Sequence, residues 1–244
     1  MNDHKGIMLA LDNDLHDALK LVREVGQYVS YVKVGNHLLL KHGLEVVRQL
    51  KNITSREIIA DLKIMDQPYF ARKLAKLAYD NACDGVVICG SCGPTAIRSC
   101  IELDSAKKLF VFTEFTHPDG LIDHTAADEM AAMARDLGAY GIQVPGSKPT
   151  RIECARGIVG QELKIICCGI GTTGSPPGTA IRYGADFEII GRAIYESENP
   201  AMKAKEISEL IHRISAIQEE QQFKTPIRGA ESCRSSSNSR SGLV

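Results

Sequence analysis

Apolar positions along the chain form short continuous runs that alternate with longer stretches of helical periodicity. The runs are rich in β-branched residues, and near-continuous apolar character is typical of strands covered on both faces. Eight strands are predicted, and they read GIMLALD, YVKVG, EIIADLK, DGVVICG, KLFVFTEF, YGIQVP, LKIICCGI and DFEIIG. Between them, apolar residues recur three and four positions apart, which predicts helices in DLHDALKLVREVG, NHLLLKHGLEVVRQLK, FARKLAKLAYDNA and AADEMAAMARDLG.

Eight strands that alternate with helices over 244 residues predict a (β/α)8 barrel, the TIM barrel, in a single domain. A doubly wound sheet is the alternative, but it would leave strands to spare. The turn after the first strand also lacks the GxGxxG pattern of dinucleotide-binding folds. We therefore expect the barrel to occupy residues 1–223 and to end with the helix PAMKAKEISELIHRISAIQEEQQF.

Residues 224–244 differ in composition from the rest of the chain. They are rich in serine and arginine and have almost no apolar periodicity. One lysine and three arginines stand against a single glutamate. A segment of this kind cannot bury enough apolar surface to offset the cost of ordering it, so we expect a disordered tail.

Composition places the chain among ordinary globular proteins, with 44% apolar and 24% charged residues. The formal net charge of -1 gives no basic field for nucleic acid or an acidic membrane, so a bound anion needs a local site. No apolar run is long enough to span a bilayer, and MNDHKGIMLALD lacks the apolar core of a signal peptide. A cytoplasmic location is expected.

Cys89 and Cys92 have the CxxC spacing of redox and metal sites. The sequence contains no second CxxC pair, and no histidine nearby completes a zinc ligand set. We therefore expect two reduced thiols at the end of a strand.

Charged residues gather where the predicted strands end, and in a barrel these ends surround the active site. Asp12 follows the first strand, and Lys33 lies in the second. Asp61 and Lys63 end the third strand, where their spacing of two directs both side chains to the same side. Asp66 follows at the start of the next helix, where a carboxylate can cap the helix.

Lysines and aspartates that alternate in this way have a chemical use. Carboxylates keep a neighbouring ammonium protonated in a partly desolvated site. Such an ammonium can donate a proton to carbon as a carbanion forms, and a fixed carboxylate can crowd another carboxylate and favour its loss. The array predicts carbanion chemistry that needs neither a cofactor nor a metal.

A phosphate site is predicted on the other side of the barrel. Barrels of this kind bind phosphate with the loops after strands seven and eight. GIGTTGSPPG follows the seventh strand and is rich in backbone donors, while GRAIY follows the eighth. Gly191 lets the backbone approach a ligand, and Arg192 can bind a phosphate through two parallel hydrogen bonds.

Taken together, these segments resemble the orotidine 5'-monophosphate (OMP) decarboxylases, especially their compact archaeal and bacterial forms. The resemblance spans about residues 6–217, nearly the whole predicted barrel. LALD, VKVG and ADLKIMDQP are similar to the Asp, Lys and DxKxxD elements of that family. TEFTHP is similar to its fifth-strand segment, and GADFEIIGRAIYESENP to its phosphate-binding segment.

The resemblance implies a carboxy-lyase that converts OMP to uridine 5'-monophosphate (UMP) in pyrimidine biosynthesis. It also implies a homodimer with shared active sites. Lys63 is then the proton donor to C6 of the pyrimidine, and Asp61 lies against the departing carboxylate. Lys33 and Asp12 hold the ribose hydroxyls and the charged network, and Asp66 reaches in from the partner chain.

Positions that read the substrate in this family depart from its pattern. Gln67 stands where isoleucine is usual, and Phe70 where threonine is usual. Thr116 replaces the serine that faces the base. The seventh-strand loop reads Cys168-Gly169-Ile170 instead of Pro-Gly-Ile or Pro-Gly-Val, and Thr173 replaces a glutamine that bridges base and phosphate. We expect the residues that carry out decarboxylation to be intact. Either the protein binds OMP with lower affinity, or its pocket accepts another ring on the same ribose phosphate.

Two alternatives stay open. The first is a relative that acts on a phosphosugar, such as 3-hexulose-6-phosphate synthase or 3-keto-L-gulonate-6-phosphate decarboxylase, whose motif resembles DLKIMD. Those enzymes use magnesium and have a glutamate in place of Lys33, and a lysine there would repel the ion. The second is a non-catalytic nucleotide-binding paralogue. Such a protein would keep Arg192 but would not need to keep Lys33, Asp61, Lys63 and Asp66, all of which are present.

Overall fold

Eight parallel strands close into a barrel in the computed structural model, which describes residues 5–172 and 174–224. The strands are β1 Gly6–Leu11, β2 Tyr31–Gly35, β3 Glu57–Ile64, β4 Gly85–Cys89, β5 Lys108–Phe112, β6 Gly141–Pro145, β7 Lys164–Cys168 and β8 Phe187–Ile190. Each strand pairs with the next, and β1 pairs with β8. The predicted (β/α)8 barrel is confirmed, and every predicted strand overlaps an observed one.

The helices are α1 Leu15–Val25, α2 Asn36–His42, α3 Glu45–Lys51, α4 Pro68–Asp80, α5 Gly93–Ile101, α6 His124–Asp136, α7 Pro149–Val159, α8 Thr179–Arg182, α9 Arg192–Tyr195 and α10 Pro200–Lys224. The stretch NHLLLKHGLEVVRQLK, predicted as one helix, forms α2 and α3. Gly43 has a φ of 68°, a left-handed conformation that ends α2. Within the described ranges, no helix is long and apolar enough to cross a membrane. The predicted tail lies, from residue 225, outside the described residues.

Strand residues alternate between the barrel interior and the layer that packs on the helices. In β1, Met8 and Ala10 face inward, whereas Leu9 packs outward. Apolar and aromatic side chains fill the lower interior, where the rings of Tyr31 and Phe187 meet edge to face at 4.9 Å. The packed floor leaves room for polar side chains mainly at the carboxyl ends of the strands.

The pairing register brings charged residues of adjacent strands to this carboxyl-terminal end. Gly35 of β2 pairs with Asp61 of β3, and Lys33 pairs with Ile59 two residues below. A Cβ atom at Gly35 would lie 3.0 Å from Asp12 Oδ1 and 3.3 Å from Lys33 Nζ. Glycine at this position therefore leaves the space in which the charged side chains meet.

Candidate active site

A pocket of about 360 Å³ opens at the carboxyl ends of the strands. It brings together nine of the eleven residues predicted from the sequence: Asp12, Lys33, Asp61, Lys63, Thr116, Cys168, Gly169, Gly191 and Arg192. Of the other two, Asp66 is not among the lining residues of this pocket. Thr173 lies outside the described residues.

Four charged side chains form a continuous chain of opposite charges along one wall of the pocket. Lys63 Nζ lies 2.8 Å and 3.0 Å from the two carboxylate oxygens of Asp61. Lys33 Nζ lies 3.4 Å from Asp61 Oδ2 and 3.9 Å from Asp12 Oδ1. Asp61 and Lys33 are buried, whereas the Lys63 side chain is 35% exposed and open to the pocket. The array thus has a buried centre and an accessible ammonium.

The pKa of Asp61 reflects two opposing effects. Burial alone raises the pKa of this carboxyl, but the ammonium groups of Lys33 and Lys63 outweigh burial and hold it below its usual value. Asp61 is therefore a carboxylate at neutral pH. A fixed negative charge of this kind repels a second carboxylate brought beside it.

The backbone at Lys63 has an unusual conformation. Lys63 has a φ of 43°, in the left-handed region that non-glycine residues rarely adopt, and the β3–β4 register shifts between Ala60 and Ile64. A conformation of this type costs roughly 1–3 kcal/mol and persists only where surrounding contacts hold it. It turns the Lys63 side chain toward the pocket, where Nζ also lies 5.4 Å from the centre of the Phe112 ring.

Two thiols hold the backbone of this strained segment. Cys89 Sγ donates to the carbonyl oxygen of Lys63 at 3.4 Å, and Cys92 Sγ donates to that of Ile64 at 3.3 Å. Burial raises the pKa of Cys89 to about 11, so its thiol keeps the proton that it donates. Both cysteines are free thiols in the structure. Their contact with the Lys63 segment was not predicted, because sequence spacing does not reveal which backbone a thiol faces.

Asp66 and the residues after it point away from the pocket of their own chain. Asp66 is exposed, and its Oδ1 accepts a hydrogen bond from the backbone N–H of Gln67 at 2.7 Å. Because α4 begins at Pro68, this bond lies before the first turn, and the expected helix cap is absent. Gln67 is also exposed, and Phe70 is 48% exposed. None of these three lines the pocket described above.

A buried ion cluster fixes the loop that carries Thr116. Glu114 is 2% exposed and accepts from Lys148 Nζ at 2.7 Å and from Arg151 Nε at 2.9 Å. Burial raises the pKa of Glu114, but the two cations outweigh it and lower the pKa below its usual value. Lys148 also bonds to the carbonyl oxygen of Phe115 at 3.3 Å. The sequence signal for this cluster was a glutamate two residues after an apolar strand.

Glycines shape the side of the pocket formed by β7 and β8. Gly169 and Gly171 have φ angles of 78° and 97°, and a Cβ atom on Gly171 would lie 2.6 Å from Ala193. A Cβ atom on Gly191 would lie 3.2 Å from the carbonyl oxygen of Ala10. The chain therefore passes close to α9 and β1, and Arg192 is exposed at the rim.

The sequence prediction did not include seven of the residues that line this pocket, and Gln143 is the buried polar residue among them. Gln143 of β6 lines the pocket and is 1% exposed. The signal was a polar residue at an inward position of the otherwise apolar run YGIQVP.

Comparisons with known proteins agree with this geometry. Residues 5–207 match the family described as Orotidine 5'-phosphate decarboxylase / HUMPS family. The orotidine 5'-phosphate decarboxylase of Methanococcoides burtonii is 36% identical over 211 residues, covering 85% of this chain and 97% of that protein. The enzyme of the same name from Pyrococcus furiosus is 35% identical over 212 residues, covering 86% and 99%.

Solved structures agree as well. The orotidine 5'-monophosphate decarboxylase of Methanocaldococcus jannaschii, complexed with inhibitor BMP, superimposes with a TM-score of 0.79 at 32% identity. That match covers 85% of this chain and 99% of the other. The enzyme of Pyrococcus horikoshii gives a TM-score of 0.78 at 33% identity, covering 84% and 99%.

Proposed function

The chain belongs to the orotidine 5'-phosphate decarboxylase / HUMPS family, and on this premise we infer that it decarboxylates OMP to UMP in pyrimidine biosynthesis. The observation that carries this function is the array of Asp12, Lys33, Asp61 and Lys63 in a pocket that also contains Arg192. Relatives named as OMP decarboxylases do not favour the phosphosugar and non-catalytic alternatives.

Binding of the substrate is assigned to the two ends of the pocket. Arg192 holds the 5'-phosphate, with the backbone of Gly191 beside it. Lys33 and Asp12 hold the ribose hydroxyls. The base extends toward Thr116 and the Cys168–Gly169 segment. Thr173, in the loop after β7, belongs to the same binding group by sequence. The energy of phosphate binding, remote from the reacting carbon, is spent in closing that loop over the site.

Decarboxylation then follows from the positions of Asp61 and Lys63. Asp61 stays ionised and crowds the substrate carboxylate, which raises the energy of the bound ground state. The bond between C6 and the carboxylate breaks, carbon dioxide leaves, and the electron pair remains on C6. Lys63 Nζ–H donates its proton to C6, giving UMP, and the neutral amine regains a proton from solvent.

We further propose a homodimer in which Asp66 serves the partner's pocket. Asp66 is exposed, and an apolar stripe lies beside it, formed by Met65 and by residues on the surface of α4. The members of this stripe, with their exposed fractions, are Met65 72%, Tyr69 63%, Phe70 48%, Leu74 41% and Leu77 52%. A contiguous exposed apolar stripe of this kind is typical of an interaction surface. A two-fold interface here also carries Gln67 and Phe70 toward the partner's substrate.

The function is tested by incubating the purified protein with OMP and following the loss of its absorbance, with UMP identified as the product. Turnover is expected to persist after exhaustive EDTA treatment, because Lys33 and Lys63 already neutralise Asp61 and repel a divalent ion. Turnover that stops on chelation and returns with magnesium supports the phosphosugar alternative. Binding of UMP without turnover of OMP supports the non-catalytic alternative.

The dimer is tested by mixing two inactive variants, Asp66→Asn and Lys63→Ala. In a mixed dimer, one site receives both lesions and the other receives neither. Random mixing therefore restores about a quarter of wild-type activity if sites are shared across a two-fold interface. Mixed dimers that form, as judged by differently tagged chains, but stay inactive would place Asp66 in its own chain's site.

A further inference from the structure

Gln143 is an amide held rigidly in the pocket wall. It sits on β6 between Phe112 of β5 and Ile166 of β7 in the pairing register. Its backbone carbonyl accepts from both the N–H and the hydroxyl of Thr113, each at 3.1 Å. Its side-chain amide hydrogen-bonds to Cys168 on β7. The side chain therefore has little freedom to turn.

One atom of this amide is unsatisfied. Gln143 Oε1 is buried and has no hydrogen-bond partner within residues 5–172 and 174–224. A buried polar atom without a partner is costly, and an apolar side chain of the same size would avoid that cost. Inward neighbours at this level, such as Phe112 and Ile166, are apolar. An unpartnered acceptor that lines the pocket is explained if the bound ligand supplies the missing donor.

The position of Gln143 in the pocket determines which part of a bound ligand it can contact. Arg192 lies just after β8, and the charged array lies at the carboxyl ends of β1 to β3. A nucleotide with its phosphate at Arg192 and its reacting carbon at Lys63 places its ring against the wall formed by β5 to β7. Among the described residues of that wall that line the pocket, Gln143 is the buried polar side chain, whereas Thr116 lies exposed at the rim.

We propose that Gln143 determines base specificity by accepting a hydrogen bond from the ring N–H of the bound pyrimidine. This inference rests on the proposed function. In a uracil or orotate ring, N3–H is a donor between two carbonyl groups, and it matches the free Oε1 acceptor. A cytosine ring has an unprotonated N3 that turns a lone pair toward the same oxygen. The bond to Cys168 opposes rotation of the amide to accommodate cytosine.

Calorimetric titration of Gln143→Met with UMP, cytidine 5'-monophosphate (CMP) and ribose 5-phosphate tests the proposal. Methionine keeps the length of the side chain and removes the amide. Affinity for UMP is expected to fall about ten- to a hundredfold, and the preference for UMP over CMP to shrink by a similar factor. Affinity for ribose 5-phosphate, which has no ring, is expected to stay within about twofold. Gln161→Met makes the same change at an exposed position and serves as the control.

Thermal unfolding of the ligand-free proteins separates recognition from packing. Gln143→Met is expected to unfold at the same temperature as wild type or a higher one, because it removes an unsatisfied buried acceptor. Unchanged UMP affinity in this variant overturns the proposal. Equal losses for UMP and ribose 5-phosphate with a lower unfolding temperature overturn it too, since they indicate a packing role.

Turnover of OMP by wild type keeps this inference separate from the proposed function. A wild-type protein that decarboxylates OMP, with a Gln143→Met variant that binds UMP normally, contradicts only the role of Gln143. A wild-type protein that leaves OMP intact, with the expected loss of UMP affinity in Gln143→Met, contradicts only the proposed reaction.

Discussion

The two sides of the pocket are built by different means. On the side of β1 to β3, four charged side chains are paired with one another without any ligand, and Asp61 and Lys33 at the centre of the array are buried. On the side of β7 and β8, the lining includes two glycines, Gly169 and Gly191, and the exposed side chain of Arg192. The first side is organised in advance for chemistry, whereas the second is shaped for close approach by a ligand.

Because of this difference, substitutions on the two sides of the pocket are expected to change different kinetic constants. Electrostatic stabilisation is most effective when the charges do not need to move during the reaction. Changes on the β1 to β3 side are therefore expected to lower kcat. Binding energy from a remote group such as a phosphate acts through both KM and kcat. Changes on the β7 and β8 side are expected to depend on whether the substrate has a phosphate.

The largest effect is expected for Lys63→Ala. Loss of a proton donor that acts only in the transition state should lower kcat by several orders of magnitude, while affinity for UMP changes far less. The measurements are turnover of OMP and titration with UMP. Lys20→Ala, which breaks the exposed 3.9 Å ion pair with Glu24 on α1, is the matched control. Turnover within tenfold of wild type would mean that another group protonates C6.

A smaller effect, with a different signature, is expected for Arg192→Ala. Loss of two charge-assisted hydrogen bonds to a phosphate should lower kcat/KM for OMP by about a hundred- to a thousandfold. The nucleoside orotidine has no phosphate, so its slow turnover should be unchanged by the substitution. Comparison of the two substrates in both proteins is the measurement. A parallel loss for orotidine would show that Arg192 contributes to the chemistry, and the contrast between the two sides would fail.

Cys89→Ala and Cys92→Ala test whether the two thiols hold the backbone conformation of Lys63 on the β1 to β3 side of the pocket. Each removes one thiol donor to the strained segment at Lys63 and Ile64. A roughly three- to tenfold loss of kcat with little change in KM is expected, since one weak hydrogen bond is lost. Serine at either position keeps a donor and should retain more activity than alanine. Cys154→Ala on α7 is the control. Unchanged kcat in both alanine variants would show that the Lys63 conformation holds without the thiols.

The smallest expected effect is that of pH on kcat. Lys33 and Lys63 lower the pKa of Asp61 in the folded protein below its pKa in the unfolded chain. The stabilisation that comes from its negative charge is therefore fully present above the unfolded pKa and is lost only as pH falls through the lowered, folded pKa. Between about pH 8 and 5, kcat should therefore stay level. Lys33→Met removes one of the two cations and should shift the acidic decline of kcat to higher pH. A decline near pH 6 in wild type would show that Asp61 is not held ionised.

The barrel and most of the pocket were predictable because they depend on patterns that are local in sequence. Continuous apolar runs mark strands covered on both faces, and charges at their ends mark the rim. Asp61 and Lys33 could be placed together from strand order alone. The division of one predicted helix into α2 and α3 had a local signal too, because Gly43 sits inside it.

The remaining features depend on tertiary contacts. The left-handed backbone of Lys63 is held by the thiols of Cys89, the last residue of β4, and Cys92, three residues later, and nothing in DLKIMD indicates this contact. The role proposed for Asp66 depends on a second chain, and no pattern within one chain can predict how that chain would be oriented. Gln143 was visible as an inward polar residue, but its significance depends on an oxygen left without a partner, which only three-dimensional packing defines.

In the proposed reaction, the array of Asp12, Lys33, Asp61 and Lys63 also determines which group carries the charge at each step of one catalytic cycle. Two ammonium groups and two carboxylates sum to zero, so the bound substrate carboxylate brings one unbalanced negative charge to this wall. Carbon dioxide leaves neutral, and the proton lost by Lys63 transfers that excess charge from the substrate to the protein. Asp61 then faces a neutral amine, and only a proton from outside restores balance. Because the Lys63 side chain is 35% exposed, water can supply that proton. The new hydrogen on the pyrimidine therefore originates from solvent, and the proton taken up by Lys63 returns the net charge of the array to zero after each turnover.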